Sequence, residues 1–225
     1  MVVMTSLDEP VEIVDLARQD VGDICRLFDA VIHAVARPDA VRPDEPSFFE
    51  QVFDVGGEIL GLTCEGRLIA YGVLRPELAS EHDRKALDGV APADSVLFVV
   101  DGSAVHPDYW ARALQRVLIR ARIERAVNQG AETVIAKVSP NNLPSTRNLL
   151  KEGFRIVGRV RKPYGWRYIH HRSALAPPPE ADRMPDIWRA AADIDAVTAE
   201  FEAGRCATRF RFGEDAVPEL GFVER

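Results

Sequence analysis

The sequence predicts an α/β fold in which a central mixed β-sheet carries helices on both faces. Strand-like and helix-like segments alternate along the chain, as they do in folds of this class. The segment at 95–105 is an almost unbroken apolar run, which is typical of a central strand. The segment at 111–130 has the apolar spacing of a helix that ends at Gly130.

The elements of the first half follow from local patterns. The segment at 20–36 repeats apolar residues with the period of an α-helix, and Asp20 is its candidate N-cap. The residues of this apolar repeat are Val21, Ile24, Leu27, Phe28, Val31, Ile32 and Val35. Two runs rich in β-branched residues flank Glu65-Gly66, a pair that favours a tight hairpin turn. We expect a strand at 11–16, a helix at 20–36, a short helix at 46–55, a hairpin at 57–75, a polar connection at 77–95 and a strand at 95–105.

The second half predicts a further αβ arrangement and a separate C-terminal part. The core-facing stripe of the 111–130 helix is expected to consist of Leu114, Val117, Leu118, Ala121 and Val127. We expect a strand at 131–139, a helix at 141–153, strands at 154–162 and 164–175, a linker at 176–185, a helix at 186–204 and a short strand at 206–212. The predicted domains are 1–175 and a C-terminal helical extension with its linker, 176–225. The apolar face of that last helix packs on its own domain or forms a dimer contact.

Charge and composition exclude several classes of protein. A net charge of -7 disfavours nucleic acid as the main partner, because proteins that bind it carry a basic face. The N-terminus lacks the pattern of a signal peptide, and no apolar segment approaches the roughly 20 residues that span a bilayer. We therefore expect a cytoplasmic protein with no membrane association. The three cysteines lack metal-ligand spacing, and His170 and His171 face opposite sides of one strand, so no metal is expected.

Two short motifs follow one another about 30 residues apart. The first is Val-His-Pro-Asp-Tyr at 105–109, which leads into the arginine-rich helix. The second is Val-Ser-Pro-Asn-Asn-Leu-Pro-Ser at 138–145, which closes at Gly153-Phe154. Together they resemble the GNAT superfamily of acyl-CoA-dependent N-acyltransferases over about residues 11–175. The resemblance implies acetyl-CoA or another acyl-CoA as co-substrate and an amine of a small molecule or peptide as acceptor.

The sequence departs from the family pattern at four positions. Trp110 stands where the family has glutamine or arginine, Ala113 where it has glycine, and Gln115 where it has glycine or alanine. Leu149 stands where the family often has a tyrosine that serves as general acid. These departures leave open whether the turn still binds coenzyme A.

The first turn of the 111–130 helix is the expected phosphate site, because its N–H groups are unpaired and the helix dipole is positive there. Alanine in place of glycine is harmless in a helical conformation and costly at a positive φ. Arg112, Arg116 and Arg120 have the spacing of residues on one helix face. They either bind phosphate groups or form a solvated face that pairs with carboxylates. The resemblance implies these cofactor-binding residues: Ala104, Val105, Trp110, Ala111, Arg112, Ala113, Leu114, Gln115, Arg116, Asn142 and Ser145.

The catalytic groups are less clearly marked. Asp101 interrupts the apolar strand and is a general base, a cap or an ion-pair partner of an arginine. With Leu149 at the tyrosine position, the acid could be Ser145, Tyr109 or a water molecule. Gly102, next to Asp101, favours a β-bulge or a close approach of another backbone. Asn142 either contacts the cofactor or caps the following helix.

Two functions remain open at this stage. The first is direct transfer of an acyl group from coenzyme A to an amine within a ternary complex. The second is a catalytically degenerate module of the same fold that binds acyl-CoA or a protein partner in a regulatory role.

Overall fold

A computed structural model describes residues 2–3, 10–35, 45–76, 85–176 and 184–225. The strands are β1 Val2–Val3, β2 Val11–Leu16, β3 Glu58–Cys64, β4 Arg67–Pro76, β5 Leu97–Val105, β6 Thr133–Val138, β7 Arg155–Lys162, β8 Gly165–Ser173, β9 Ile187–Ala190, β10 Arg205–Phe212 and β11 Pro218–Glu224. The α-helices are α1 Val21–Ala34, α2 Pro46–Asp54, α3 Leu114–Asn128, α4 Leu143–Lys151 and α5 Ile194–Glu202. The predicted α/β fold class is confirmed. Residues 77–84 of the predicted 77–95 connection lie outside the described residues.

The chain forms two compact units, and the first comprises Met1–Glu77 and Phe98–Gln129. Its strands pair in the order β1-β2-β3-β4-β5, each antiparallel to its neighbour. The predicted hairpin turn is confirmed, because Glu65 and Gly66 have φ values of 50° and 76°. Such a pair of left-handed residues matches the twist of the strands that it joins.

Strands β3 and β4 bury side chains on both faces, so helices pack on both sides of the first unit. Ile59, Tyr71 and Val73 pack with α1 and α2, whereas their sequence neighbours Leu60 and Ala70 pack with α3. Alternation with a period of two sends successive side chains to opposite faces. The buried residues of α1 are among those predicted from its periodicity: Val21, Ile24, Leu27, Phe28 and Val31.

The second unit comprises Leu78–Leu97 and Gly130–Arg225. Its strands follow the order β6-β8-β7-β10-β11-β9, again with antiparallel pairs. Helices α4 and α5 contribute to one apolar cluster with strand residues that include Ile156, Tyr168 and Phe222. Because β10 pairs with β7 through Ala207 and Ile156, the segment after residue 184 adds three strands to the sheet of this unit.

The single helix predicted over 186–204 is wrong in its first part. Ile187 and Trp188 pair with Phe222 and Gly221 of β11, so β9 replaces the first turn of the expected helix. The helix begins only after Asp193, whose Oδ1 accepts a hydrogen bond from the Ala196 N–H at 3.0 Å. Strand β11 was not predicted. Pairing with distant strands overrides the local helix preference of an alanine-rich segment.

Glu200 ties the C-terminal elements together. Its side chain is 5% exposed, and it forms ion pairs with Arg189 of β9 at 2.6 Å and Arg205 of β10 at 2.5 Å. A buried carboxylate needs such partners, because removing a charge from water is costly unless it is paired. The two arginines therefore fix α5 to the strands on either side of it in sequence.

His170 of β8 makes the stability of the protein depend on pH. Its imidazole is fully buried, and burial lowers its pKa from 6.5 to about 4, which the backbone of Tyr168 offsets only in part. The unfolded chain takes up this proton near pH 6.5 and the folded chain only near pH 4, so the free energy of unfolding falls as the pH drops through that window. The loss attributable to His170 should approach ~3 kcal/mol at pH 4.

Urea unfolding at pH 7, 6, 5 and 4 measures this loss directly. In the His170→Phe variant, which carries no titratable ring at this position, the pH dependence over the same range should be shallower. His171 acts in the same direction, since burial and Arg155 lower its pKa to about 4, and it accounts for part of the remaining slope. Equal slopes for the variant and the parent protein would contradict the assignment to His170.

Candidate functional site

The chain between β5 and α3 adopts a turn with two alanines in the left-handed conformation. After Val105 a short 3₁₀ turn covers Pro107–Tyr109, and Trp110 is extended with φ -64° and ψ 161°. Ala111 then has φ 63°, and Ala113 has φ 58° and ψ 14°. Helix α3 begins only at Leu114. Thus Ala113, at the family's glycine position, adopts the conformation that glycine enters most easily.

The prediction that the helix begins at residue 111 is therefore wrong by three residues. Because Arg112 precedes the helix, it does not share a helix face with Arg116 and Arg120. Its guanidinium lies over the ring of Tyr109 instead, 5.4 Å from the ring centroid. Arg116 lies in the first turn of α3 and is half-buried, whereas Arg120 is exposed. Of the three predicted arginines, Arg112 and Arg116 remain close to the turn.

The backbone N–H groups of residues 111–114 are a distinct feature of this turn. Among the described residues, none accepts a hydrogen bond from the N–H of Ala111, Arg112, Ala113 or Leu114. A left-handed residue followed by a right-handed one directs consecutive N–H groups into a concave surface that suits an anion. Here the pair is Ala113 and Leu114, and the positive end of the α3 dipole reinforces the effect. The side chains of Ala111, Arg112 and Ala113 are exposed, so the turn is open to solvent.

Trp110 braces this turn. Its indole Nε1 donates a hydrogen bond to the carbonyl oxygen of Val105 at 2.7 Å, across the base of the turn. A glutamine or arginine at residue 110 would place a flexible side-chain donor here. The indole instead connects the turn to the last residue of β5. The departure from the family pattern at residue 110 therefore has a structural role.

The other predicted cofactor residues of the first unit have their side chains turned toward the protein. Ala104 is 6% exposed and Leu114 is 1% exposed, and both pack in apolar clusters, as does the half-buried Val105. Only main-chain atoms of these residues are available to a ligand. Gln115 donates from Nε2 to Ser103 Oγ at 3.3 Å, which ties the first turn of α3 to β5.

Strand β5 contains the bulge that Gly102 predicted. Gly72 pairs with Ser103 and Leu74 pairs with Val100, so Val73 of β4 faces both Asp101 and Gly102. A bulge leaves backbone groups outside the regular ladder, and these groups need other partners.

Arg122 supplies those partners from inside the protein. Its side chain is 1% exposed, and one terminal nitrogen (Nη1) donates to the carbonyl oxygens of Val73 at 3.1 Å and Asp101 at 3.0 Å. Its Nε donates to Leu118 in its own helix. Burial lowers the pKa of the guanidinium to about 9, so it still carries its charge at neutral pH. The guanidinium fits here because residue 72 is glycine: a Cβ at Gly72 would lie 2.7 Å from Arg122 Cζ.

Asp101 is an ion-pair partner, which was one of the three alternatives. Its Oδ2 accepts a hydrogen bond from Arg75 Nε at 2.8 Å, and its Oδ1 accepts from the Gly102 N–H at 3.0 Å. Each carboxylate oxygen can accept a further hydrogen bond. The general-base role of Asp101 stays a prediction.

The second motif lies in the second unit. Asn142 caps α4, and its Oδ1 accepts a hydrogen bond from the Ser145 N–H at 3.3 Å, so the capping alternative is confirmed. Leu149, at the family's tyrosine position, is 2% exposed and belongs to the buried face of α4. The cofactor contacts predicted for Asn142 and Ser145, and the catalytic role of Ser145, stay predictions.

Arg122 and Gly72 were missed because the stripe predicted on α3 did not include Arg122. Four of the five predicted residues do lie in or against an apolar cluster: Leu114, Val117, Leu118 and Ala121. The buried residues of the helix are Leu114, Leu118, Ile119, Arg122, Ile123 and Ala126, whereas Val127 is 40% exposed. An arginine is assumed to face solvent by default. The available signal was that Arg122 lies four residues after Leu118, in register with the apolar side chains.

Neither a membrane span nor a metal centre is found in the described residues. No described helix combines the length and the apolar character that crossing a bilayer requires. Within residues 10–35, 45–76, 85–176 and 184–225, no group of three or more His, Cys, Asp or Glu side chains could hold a metal ion.

Comparison with known proteins places this geometry in a family. Residues 27–154 match the family described as Acetyltransferase (GNAT) family, whereas none of the curated proteins searched matches the sequence. One similar solved structure is a GNAT-family acetyltransferase from Listeria monocytogenes, with a TM-score of 0.57 and 15% identity over 77% of this chain and 99% of that one. The ribosomal-protein-S18-alanine N-acetyltransferase of Escherichia coli has a TM-score of 0.55 and 16% identity over 76% of this chain and 97% of that one. The structure of yncA from Salmonella typhimurium with its cofactor acetyl-CoA has a TM-score of 0.52 and 17% identity over 74% of this chain and 97% of that one.

At such low identity, these structures show the same fold and no more. The class defined by the fold and the family match is that of the acetyltransferases. Since the match covers more than half of its length, the chain belongs to the acetyltransferase (GNAT) family, whose members use acetyl-CoA.

Proposed function

We propose that the protein transfers an acetyl or related acyl group from coenzyme A to an amine of a small molecule or a peptide. The observation that carries this proposal is the left-handed turn at 111–113, whose N–H groups have no acceptor among the described residues. A turn held in a strained conformation, with its donors facing solvent, is expected where an anionic ligand supplies the missing acceptors.

Different residues of the first unit would then bind different parts of acyl-CoA. The N–H groups of Ala111 to Leu114 donate to the pyrophosphate, and Trp110 keeps the turn in place through Val105. Arg112 and Arg116 add charge-assisted hydrogen bonds to phosphate oxygens. Main-chain groups around Ala104 and Val105 bind the pantetheine arm.

The chemistry would be a direct attack of the acceptor amine on the thioester. The thioester supplies an activated acyl group, and the protein contributes binding, orientation and a proton acceptor. Asp101 is the candidate acceptor of the amine proton, and Arg75 orients its carboxylate. Ser145 is a candidate donor to the leaving thiolate. No covalent intermediate on the protein is required.

A regulatory acyl-CoA-binding module is the second candidate, and one observation favours it. The family's usual tyrosine acid is replaced by Leu149, which is buried in the core and cannot donate a proton. Such a module would keep the binding turn and lose the transfer reaction.

Release of free thiol from acetyl-CoA in the presence of an amine panel separates the two candidates. Transfer predicts thiol release that depends on both the enzyme and one of the amines, and that falls in the Asp101→Asn variant. Saturable binding of acetyl-CoA with no turnover on any amine would favour the regulatory module. Failure to bind any acyl-CoA would contradict both.

Replacing Arg116 by alanine should weaken the binding of coenzyme A about tenfold, because one charge-assisted hydrogen bond to the 3′-phosphate is lost. Binding of dephospho-CoA should change less than about twofold, since that ligand lacks the phosphate. Calorimetric titration of both ligands measures the difference. The exposed Arg120→Ala variant serves as the control for a lost positive charge on the same helix. Equal losses for the two ligands would refute the 3′-phosphate contact.

A further inference from the structure

Three side chains of neighbouring strands lie on the face of the second unit's sheet that is opposite to α4 and α5. Arg155 of β7 pairs with His171 of β8, so both side chains point to the same face. Ala207 of β10 pairs with Ile156 of β7, and both pack in the apolar cluster that contains residues of α4 and α5. Cys206 and Arg155 each precede one of these two residues, so their side chains point to the opposite face. We refer to Arg155, His171 and Cys206 as the Arg155 cluster.

No carboxylate neutralises the positive charge of this cluster. Strands β7, β8 and β10 contain no aspartate or glutamate. In the part of the chain that the structure describes, no carboxylate forms an ion pair with Arg155 or with Arg225. Arg155 is nevertheless half-buried, and a charge that is partly removed from water is normally paired. An anion from outside the described chain would supply the missing partner.

Hydrogen-bond donors of the cluster also lack acceptors. The Nε of Arg155 is buried, and no described residue accepts a hydrogen bond from it. The imidazole of His171 likewise forms no hydrogen bond with a described residue. Because most buried polar groups in proteins are paired, donors of this kind indicate a position where a ligand supplies the acceptor.

The groups of the cluster are close enough to change one another's pKa. Burial lowers the pKa of His171 to about 4, and the positive charge of Arg155 acts in the same direction. Burial raises the pKa of the Cys206 thiol, and the charges of Arg155 and Arg225 offset part of that rise. Arg225 is held at this place by Nη2, which donates a hydrogen bond to the carbonyl oxygen of Val157. Two guanidinium groups therefore lie near the same thiol.

The chain around Ala86 limits the space beside the cluster. Gly158 pairs with Ile169, which lies two residues before His171 and so points to the same face. A Cβ at Gly158 would lie 3.2 Å from the carbonyl oxygen of Ala86. Because this segment approaches the sheet so closely, the face next to the cluster suits a small ligand better than a macromolecule.

A doubly charged oxyanion fits these groups best. A guanidinium binds two oxygens of an oxyanion through parallel N–H bonds, and a neutral imidazole donates one more N–H. Two arginines without a carboxylate provide two positive charges, which match a phosphate group better than a singly charged carboxylate. Inorganic phosphate and the phosphate ester of a small metabolite share this chemistry.

We infer that Arg155, Arg225 and His171 form a binding site for a phosphate group in the second unit. Arg155 binds two of its oxygens, His171 donates one N–H, and Arg225 supplies the second positive charge. This site contains none of the residues of the turn at 111–114 and does not depend on the transfer reaction.

Titration of the full chain with inorganic phosphate at constant ionic strength tests this inference through the NMR resonances of the His171 ring. These resonances should shift saturably, with a dissociation constant of about 1 mM or lower, and Arg155→Gln should weaken binding at least about tenfold. Arg147→Gln removes the same charge from an exposed position of the second unit and should change the dissociation constant less than about twofold. If the Arg155 variant fails to fold, the change at exposed Arg225, Arg225→Gln, should still weaken binding about threefold.

Two further ligands define the chemistry and the source of the anion. Acetate at the same concentration should shift the His171 resonances much less than phosphate does. Tighter binding of glycerol 3-phosphate than of inorganic phosphate would identify an ester as the ligand, and weaker binding would identify free phosphate.

Three results would overturn the inference. They are His171 resonances that do not respond to phosphate, an equal loss of binding in the Arg147 and Arg155 variants, and acetate binding as tight as phosphate binding. The affinity for acetyl-CoA should be unchanged in Arg155→Gln, so a failure of this site is distinguishable from a failure of the proposed transferase function.

Discussion

Replacing Ala113 by valine is expected to weaken the binding of acetyl-CoA at least about 30-fold, equivalent to ~2 kcal/mol. Ala113 has φ 58°, a conformation that costs an L-residue roughly 1–2 kcal/mol and costs a β-branched residue more. The valine variant would relieve that strain by leaving the left-handed region, which would turn the N–H groups of the turn away from a common anion. Calorimetric titration with acetyl-CoA measures the loss.

The matched control at this position is Ala113→Gly. Glycine enters the left-handed region without steric cost, so the turn should keep its shape and acetyl-CoA should bind within about threefold of the parent affinity. If valine and glycine at residue 113 gave the same affinity, the conformation of the turn would have no part in binding.

Replacing Arg122 by leucine is expected to lower the free energy of unfolding by about 3 kcal/mol. The carbonyl oxygens of Val73 and Asp101 would lose their donor while they remain at the bulge, and each unsatisfied buried acceptor costs roughly 1–3 kcal/mol. Urea unfolding measures the change, and the exposed Arg120→Leu variant is the control on the same helix. A loss below about 1 kcal/mol would mean that the guanidinium does not support the bulge.

A double-mutant cycle with Gly72 sharpens this test. Gly72→Ala alone should destabilise the protein, because the new Cβ would lie 2.7 Å from Arg122 Cζ. In the Arg122→Leu variant, Gly72→Ala should lower the free energy of unfolding much less, because the guanidinium that the new Cβ would approach is absent. Additive effects of the two substitutions would show that they do not act through a shared contact.

Much of the fold could be predicted because local patterns and tertiary packing agree there. The apolar period of α1 gave its buried residues, and Glu65-Gly66 gave the β3–β4 turn. Gly102 indicated the bulge in β5, and Asn142 indicated the cap of α4. At each of these positions the residue type itself has a conformational or hydrogen-bonding preference that the fold uses.

The remaining features depend on contacts that a local pattern does not contain. Alanine favours helix, so the residue types at 111 and 113 do not by themselves indicate a left-handed turn. A charged residue is expected at the surface, so Arg122 was not expected beneath the bulge. Ile187 and Trp188 form a strand only because β11 lies beside them. For Arg122 and for the strand at Ile187 and Trp188, a partner distant in sequence determines the conformation.

The account rests on the claim that the N–H groups of residues 111–114 bind the phosphates of acyl-CoA. Amide chemical shifts of the ¹⁵N-labelled protein, followed during titration with acetyl-CoA, test it most directly. We predict that the amide resonances of Ala111, Arg112, Ala113 and Leu114 shift saturably, with one dissociation constant that agrees with calorimetry. Saturable calorimetric binding that leaves these four resonances unchanged, or no binding at all, would contradict the claim.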